Sequence, residues 1–204
     1  MAIINDYSTL QSTVADYLAR ADLTNAIPGF VQMAEIRMNR DIRAPWMVVS
    51  VSGTTVSGGQ ILFSGLTTGY NEAIALSVNV GGVECDIPPV ATAKALNQSL
   101  PGVPYAYAVT SSGLELMGAA TEYAYTLTYY RLIGPVSSDT AAILKIPDAY
   151  LYATLMEAEP YIQDDQRMTI WSAGYQQSVN AINGQMLRQR FPTGSRARVD
   201  FIAP

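Results

Sequence analysis

The sequence predicts an α+β protein in which N- and C-terminal helices pack as a helical bundle. A central antiparallel β insert, a small sandwich or barrel, and an extended C-terminal arm complete it. Helical periodicity at both ends of the 204-residue chain, a middle rich in Gly, Val, Thr and Tyr, and an aperiodic tail predict this arrangement. We therefore expect helices in 1–45 and 135–190, the β insert in 46–134 and the arm in 191–204.

The first 45 residues contain two apolar stripes at helical spacing. The first helix is expected over 8–20, with Asp6 or Ser8 as the N-cap residue. The second begins near Pro28, a residue suited to a first helical position, and stops before Pro45. Its apolar stripe consists of Phe30, Val31, Ala34, Met38 and Ile42, and its other face is expected to carry Glu35, Arg37, Arg40, Asp41 and Arg43.

The middle of the chain is typical of short strands separated by turns. The candidate strands are 47–52, 60–63, 73–80, 83–87, 104–110, 113–117 and 122–133. Positive-φ turn positions are expected in the glycine-containing segments 57–59, 81–82 and 111–113. Residues 91–99 have the composition of one or two helical turns.

Helical periodicity returns after Pro147 and is interrupted at Pro160, because proline ends or kinks a helix. Asp164 and Asp165 then suit the N-cap of the final helix. The strongest periodic signal in the chain follows, through Met168, Trp171, Tyr175, Val179, Ile182 and Met186. The tail beyond Phe191 has two prolines and one glycine, which favour an extended arm.

Composition excludes several classes of chemistry. The chain has no histidine, which rules out histidine-based nucleophilic triads and zinc sites that need imidazole. Its one cysteine, Cys85, forms no internal disulfide and is expected to be a small strand residue. The net charge of −5 is unusual for a protein that grips duplex DNA, although residues 188–204 alone sum to +3.

No phosphate-binding loop, dinucleotide fingerprint or nucleophile elbow occurs in the sequence. Four carboxylates allow two interpretations: they form a hydrolase or divalent-cation site, or they are a helix-capping pair and a solvated acidic surface. The four residues are Glu157, Glu159, Asp164 and Asp165. Six clustered tyrosines also allow two interpretations: they form a stacking platform for sugars or bases, or they pack in the core and at interfaces. They are Tyr105, Tyr107, Tyr123, Tyr125, Tyr129 and Tyr130. We expect no catalytic residue, cofactor or metal.

Arginine dominates the basic residues, with ten Arg and two Lys. Arg37 and Asp41 are spaced i,i+4, so the arginines of the second helix form either a salt-bridged face or a contact with a neighbouring subunit. The tail combines arginines with apolar anchors, which favours docking into a groove on another protein over simple disorder. The residues expected to dock are Arg188, Arg190, Phe191, Arg196, Arg198, Val199, Phe201 and Ile202.

Two stretches of the chain resemble a known family: DLTNAIPGF (22–30) running into AEIRMNRDIR (34–43), and IPDAYLYA (146–153) continuing to Tyr161. PYAY (104–107) and TLTYY (126–130) support the resemblance. The family is the head-to-tail adaptors of tailed bacteriophages, of the tail tubular protein A type. The resemblance implies a structural virion protein without catalysis, which forms a dodecameric ring at the neck beneath the portal.

The resemblance also implies the partners: other copies of the chain, the portal protein, the tail tube or nozzle protein, and double-stranded DNA that passes without sequence-specific binding. We expect no membrane partner, and we expect the protein to be made in the host cytoplasm. Neighbouring subunits are expected to meet through Arg37, Arg40, Arg43, Trp171 and Tyr175. The alternatives are another neck or tail ring, such as a stopper or tube-end protein, or a carbohydrate-binding tail module.

Overall fold

The structure, a computed structural model, describes residues 3–56, 58–66, 68–91, 102–162 and 166–190. It is an α+β fold with helices at both ends of the sequence and antiparallel sheets between them, which confirms the predicted fold class. The chain divides into two compact units. One consists of Met1–Pro45 with Ile133–Pro204, and the other is Trp46–Leu132.

The first of these, the helical unit, contains five α-helices in its described residues. They are α1 (Tyr7–Leu18), α2 (Ile27–Asp41), α3 (Pro147–Glu157), α4 (Glu159–Ile162) and α5 (Met168–Arg190). The main packing partners are α2 with α3 and α3 with α5, while α1 packs on α3. The helix at the centre of the unit, α3, therefore comes from the C-terminal half of the chain.

Local sequence explains where the first helices begin and end. Asp6 caps α1: its carboxylate accepts from the backbone N–H of Thr9 at 2.7 Å, and the Thr9 hydroxyl oxygen accepts from the Asp6 N–H at 3.0 Å. Pro28 lies in the first turn of α2, where its missing N–H costs nothing. The predicted apolar stripe of α2 is buried along its whole length.

The C-terminal helices follow the predicted pattern. Pro147 opens α3, and the break expected near Pro160 falls at Ala158, between α3 and the short α4. The side of α5 that faces the unit is buried at Trp171, Tyr175, Val179 and Ile182. The capping pair Asp164–Asp165 lies outside the described residues.

The second unit, the β unit, contains seven strands in its described residues, each overlapping a predicted segment. They are β1 (Val48–Thr54), β2 (Gln60–Leu62), β3 (Tyr70–Val80), β4 (Val83–Asp86), β5 (Ala106–Val109), β6 (Gly113–Met117) and β7 (Ala124–Arg131). One sheet has the order β1-β7-β3-β4 and the other β2-β6-β5, and every pairing is antiparallel. The predicted helical turns at 91–99 lie largely outside the described residues.

One apolar core joins both sheets of the β unit, as in a small sandwich. Alternation along each strand places its inward side chains in that core: Ile61, Leu76, Val78, Tyr107, Leu114, Leu116, Leu127 and Tyr129 are buried. The hydroxyl of Tyr129 contacts Thr68, so burial of this ring leaves no polar atom unpaired. Hydroxyl side chains of β1 and β7 pair on the outer face of the four-stranded sheet, Ser50 with Thr128 and Ser52 with Thr126.

The turn prediction holds at two of three places. Gly58, Gly59, Gly81 and Gly82 have positive φ, as the turn at 57–59 and the turn at 81–82 require. The prediction for 111–113 is wrong, because Gly113 does not have a positive φ. It is constrained instead by the neighbouring strand, since a Cβ there would overlap the backbone carbonyl of Ile61.

Glu35 lies on the buried side of α2, whereas the sequence predicts it on the face opposite the apolar stripe. Its side chain is buried, with a relative exposure of 9%. Glu35 follows Val31 by four residues and precedes Met38 by three, so helical geometry places it on the apolar stripe. The charge of Glu35 favours the opposite face, whereas its position in the helix places it on the apolar stripe.

Candidate interface surfaces

Arg37 belongs to an ion pair within the chain. Its Nε lies 2.6 Å from a carboxylate oxygen of Glu157 on α3, and both side chains are partly buried. The i,i+4 pairing of Arg37 with Asp41 does not form; Asp41 instead accepts a hydrogen bond from the Tyr175 hydroxyl at 2.9 Å. Arg37 is therefore ion-paired within the chain, but with Glu157 on α3 and not with Asp41 on its own helix.

Arg43 caps the C-terminal end of α2. Its Nη1 donates to the carbonyls of Asn39 at 3.0 Å and Ile42 at 2.8 Å, where helix carbonyls lack intrahelical partners. Its backbone N–H also donates to the Asn183 side chain on α5 at 2.7 Å. Arg40, in contrast, is exposed on the surface of α2.

Trp171 and Tyr175 pack inside the helical unit. Their relative exposures are 3% and 4%, and the Arg167 guanidinium lies over the Trp171 ring at 5.1 Å. Burial and the hydrogen bond to Asp41 raise the pKa of Tyr175, so its hydroxyl stays a donor at neutral pH. Both side chains thus hold α5 against the rest of the unit.

A clamp on α2, consisting of Glu35 and Asn39, holds the segment where the chain re-enters the helical unit. Glu35 Oε1 accepts from the Val136 N–H at 2.6 Å and from the Tyr150 hydroxyl at 3.3 Å. The Asn39 amide bonds the backbone of Ile133 in both directions, at 2.6 and 3.2 Å. Sequence reasoning missed this clamp, although the i,i+4 spacing of two polar residues beside an apolar stripe was a signal for it.

The outer surface of α2 carries an exposed apolar patch that sequence reasoning also missed. Met33 and Ile36 are 51% and 47% exposed, and Arg40 lies on the same side because the spacings are three and four residues. We call Met33, Ile36 and Arg40 the α2 patch. Exposed apolar side chains beside an arginine are typical of protein interfaces.

The predicted docking residues fall at the end of α5 and beyond it. Arg188 is exposed near the C-terminal end of α5, and Arg190 is the last residue of that helix. The others lie outside the described residues; they are Phe191, Arg196, Arg198, Val199, Phe201 and Ile202. Among the residues predicted to dock, Arg188 is therefore the one whose side-chain exposure the structure describes.

Some side chains of the carboxylate and tyrosine alternatives are engaged within the chain, while the acidic pair at 164–165 lies outside the described residues. Glu157 is paired with Arg37, and the described residues contain no group of three or more carboxylate or thiol side chains placed to hold a metal ion. Tyr107 and Tyr129 are core residues, so they are not available as a stacking platform. None of the α-helices in the described ranges combines the length and apolar composition of a bilayer span.

Comparison with known protein families gives a match over almost the whole chain. The family described as SU10 adaptor protein matches residues 5–200, which includes both helical segments and the β unit. No curated protein matches the chain. Because the match covers almost the whole sequence, the chain belongs to the SU10 adaptor protein family and is a structural phage adaptor protein.

Proposed function

We propose that the chain is a portal-proximal head-to-tail adaptor of the tail tubular protein A type. Copies form a dodecameric ring at the neck, join the portal to the tail tube or nozzle, and surround the channel through which DNA leaves. The observation that carries this proposal is the family match over residues 5–200. The α2 patch adds a specific surface that such an assembly would cover.

Contacts between copies would involve the α2 patch. Ring neighbours are related head to tail, so each copy needs two different complementary surfaces. Arg40 would reach the neighbour directly because it is exposed, while Arg37 would contribute through guanidinium nitrogens other than the Nε bonded to Glu157. Arg43 would contribute at the end of α2. Trp171 and Tyr175 would act from inside the unit, by fixing the position of α5.

The arm would bind the portal. Arg188, Arg190, Arg196 and Arg198 would bond acceptors at the rim of a groove, and Phe191, Val199, Phe201 and Ile202 would fill it. A single arm offers few anchors, so its affinity for one portal subunit would be modest. Many arms presented by one ring would bind with high avidity.

The acidic composition suits a conduit for DNA. The chain carries seventeen acidic and twelve basic residues, and four of the basic residues lie in 188–204. Excess negative charge repels phosphates over roughly 10 Å at moderate salt, which keeps the duplex from adhering during transit. The β insert would face the next tail component.

Deletion of residues 191–204 tests the portal-binding step. The truncated protein should keep its far-ultraviolet circular dichroism and fail to co-sediment with portal rings. Two full-length variants separate the contributions: Arg196→Ala with Arg198→Ala removes charge, and Val199→Ser with Phe201→Ser removes the apolar anchors. Portal binding by the truncated protein at the full-length level would refute the proposed role of the arm.

A further inference from the structure

The two sheets of the β unit differ in whether their edge strands have backbone partners on the outer side. In the three-stranded sheet the chain covers its own edges: Tyr107 of β5 bonds the backbone of Pro88 and Val90, and Val56 bridges to Gln60 of β2. In the four-stranded sheet the edge strands are β1 and β4. Within the described part of the chain, neither has a backbone partner on its outer side.

Strand β1 lacks the features that keep sheet edges from pairing. It is seven residues long, contains no charged residue and no proline, and pairs with β7 in unbroken register. Natural edge strands are usually short, charged, bulged or covered, since an open edge recruits another strand. Its core-facing residues Val49 and Val51 remain half-buried on that side. The edge of β1 is therefore open to backbone pairing with another strand.

The opposite edge, β4, is four residues long and carries two carboxylates, which oppose pairing with an arbitrary strand, but its side chains match those of β1. On its core face it carries Val83, which is 64% exposed, and Cys85, which packs at the margin of the core. On its outer face it carries Glu84 and Asp86, and Glu84 already accepts a hydrogen bond from the hydroxyl of Ser77 on β3. Pairing β4 with a strand like β1 would place apolar residues beside valines, and carboxylates beside the hydroxyls of Ser50 and Ser52.

Strand direction allows the same pairing between copies. The four strands alternate in direction, so β4 runs opposite to β1. Neighbouring copies in a ring differ by a small rotation, which leaves the direction of each strand almost unchanged. The β1 strand of one copy is then antiparallel to the β4 strand of the next, like every other pair in the sheet.

We propose that β1 of one copy pairs with β4 of its ring neighbour, so that the four-stranded sheets join edge to edge around the ring. The partner is a second copy of this chain, and the inference rests on the proposed ring. Pairing would bury Val83 and satisfy the outward backbone groups of β4 and of the part of β1 that faces it.

Cysteine cross-linking tests the pairing directly because Cys85 is the chain's sole cysteine. Val51→Cys adds a thiol on the same face of the sheet as Cys85 but at the opposite edge. Within one copy the two positions are three strand spacings, or about 14 Å, apart. A disulfide needs Cα atoms within about 7 Å, so any disulfide formed must link two copies. Val49→Cys tests the register two residues away and serves if the Val51 variant fails to fold.

The matched controls are Ser52→Cys, whose thiol points to the other face, and Val51→Cys combined with Cys85→Ser. Mild oxidation of rings assembled with portal should give linked oligomers on a non-reducing gel for Val51→Cys or Val49→Cys. Because disulfide geometry is strict, these should exceed the controls at least about tenfold. Rings of correct mass without such links in either variant would overturn the pairing and leave the adaptor function intact. Failure of the unaltered protein to form any ring on portal would overturn both.

Discussion

The carboxylate of Glu35 on α2 accepts a hydrogen bond of 2.6 Å from the backbone N–H of Val136. These residues are 101 positions apart, and the whole β unit lies between them in sequence. Together with the bonds of Asn39 to Ile133, this contact closes the helical unit where its second segment begins. A buried acidic side chain thus joins the two parts of the chain that form one helical core.

Removing the Glu35 carboxylate should destabilise the helical unit. Glu35→Ala leaves the buried Val136 N–H without its acceptor, and such a loss costs about 1–3 kcal/mol. The free energy of unfolding in urea measures the effect. Glu159→Ala is the matched control because Glu159 is exposed, and it should change stability by less than about 0.5 kcal/mol. Equal effects of the two substitutions would contradict a structural role for Glu35.

The same carboxylate predicts a pH dependence. Burial raises the pKa of Glu35 above its ordinary value of 4.5, so the folded state binds the proton more tightly than the unfolded state. Its contribution therefore falls as pH rises from 4.5 through the raised value. Glu35→Gln lacks this titration while keeping an acceptor for Val136. The free energy of unfolding of the wild type should fall relative to that of Glu35→Gln as pH rises through this window. A pH-independent difference between the two proteins would refute the raised pKa of Glu35.

Gly113 on β6 should tolerate no side chain. Its Cβ would overlap the carbonyl group of Ile61 on β2, and a backbone atom held in a strand cannot move aside as a flexible side chain does. Gly113→Ala should therefore cost about 1–3 kcal/mol. Gly65→Ala is the matched control in the same unit, because no atom lies within 4 Å of a Cβ there. The midpoints of thermal unfolding of the two variants measure the difference. Equal midpoints would disprove the close approach of the Ile61 carbonyl to position 113.

The α2 patch should affect assembly without affecting the fold. Met33→Asp and Ile36→Asp change exposed side chains, so each should alter the free energy of unfolding by no more than about 0.5 kcal/mol. A buried charge at an interface between copies opposes association, so both variants should give fewer rings in light scattering. Leu144→Asp changes an exposed apolar residue outside α2 and serves as the control. Normal ring formation by both α2 variants would exclude the patch from the interface.

Sequence patterns predicted most of the fold because the determinants are local. Asp6, Pro28 and Pro147 mark helix starts through their own backbone chemistry, and strand alternation places Leu127 and Tyr129 in the core. The clamp was harder to predict, since the partners of Glu35 lie about a hundred residues away. The short motifs at 22–43 and 146–161 indicate only a resemblance to phage adaptors, whereas the family model matches residues 5–200 and therefore shows membership.

The wrong prediction at 111–113 has a related cause. The sequence at 111–113 contains Ser-Ser-Gly and favours a positive-φ turn, yet the glycine is needed because another strand approaches it. Gly118, which does have a positive φ, follows β6 without a strong turn motif. Local composition predicts that a turn exists; which residue carries the unusual conformation depends on strand pairing.

Mass measurement with purified portal is the decisive test of whether copies of the chain form a ring on the portal. Light scattering of the full-length chain alone and with portal rings, followed by imaging of the complex, should show a closed ring of copies bound coaxially to the portal. We expect one adaptor chain for each portal subunit. A chain that stays monomeric and leaves the mass of the portal unchanged would refute the proposed adaptor function.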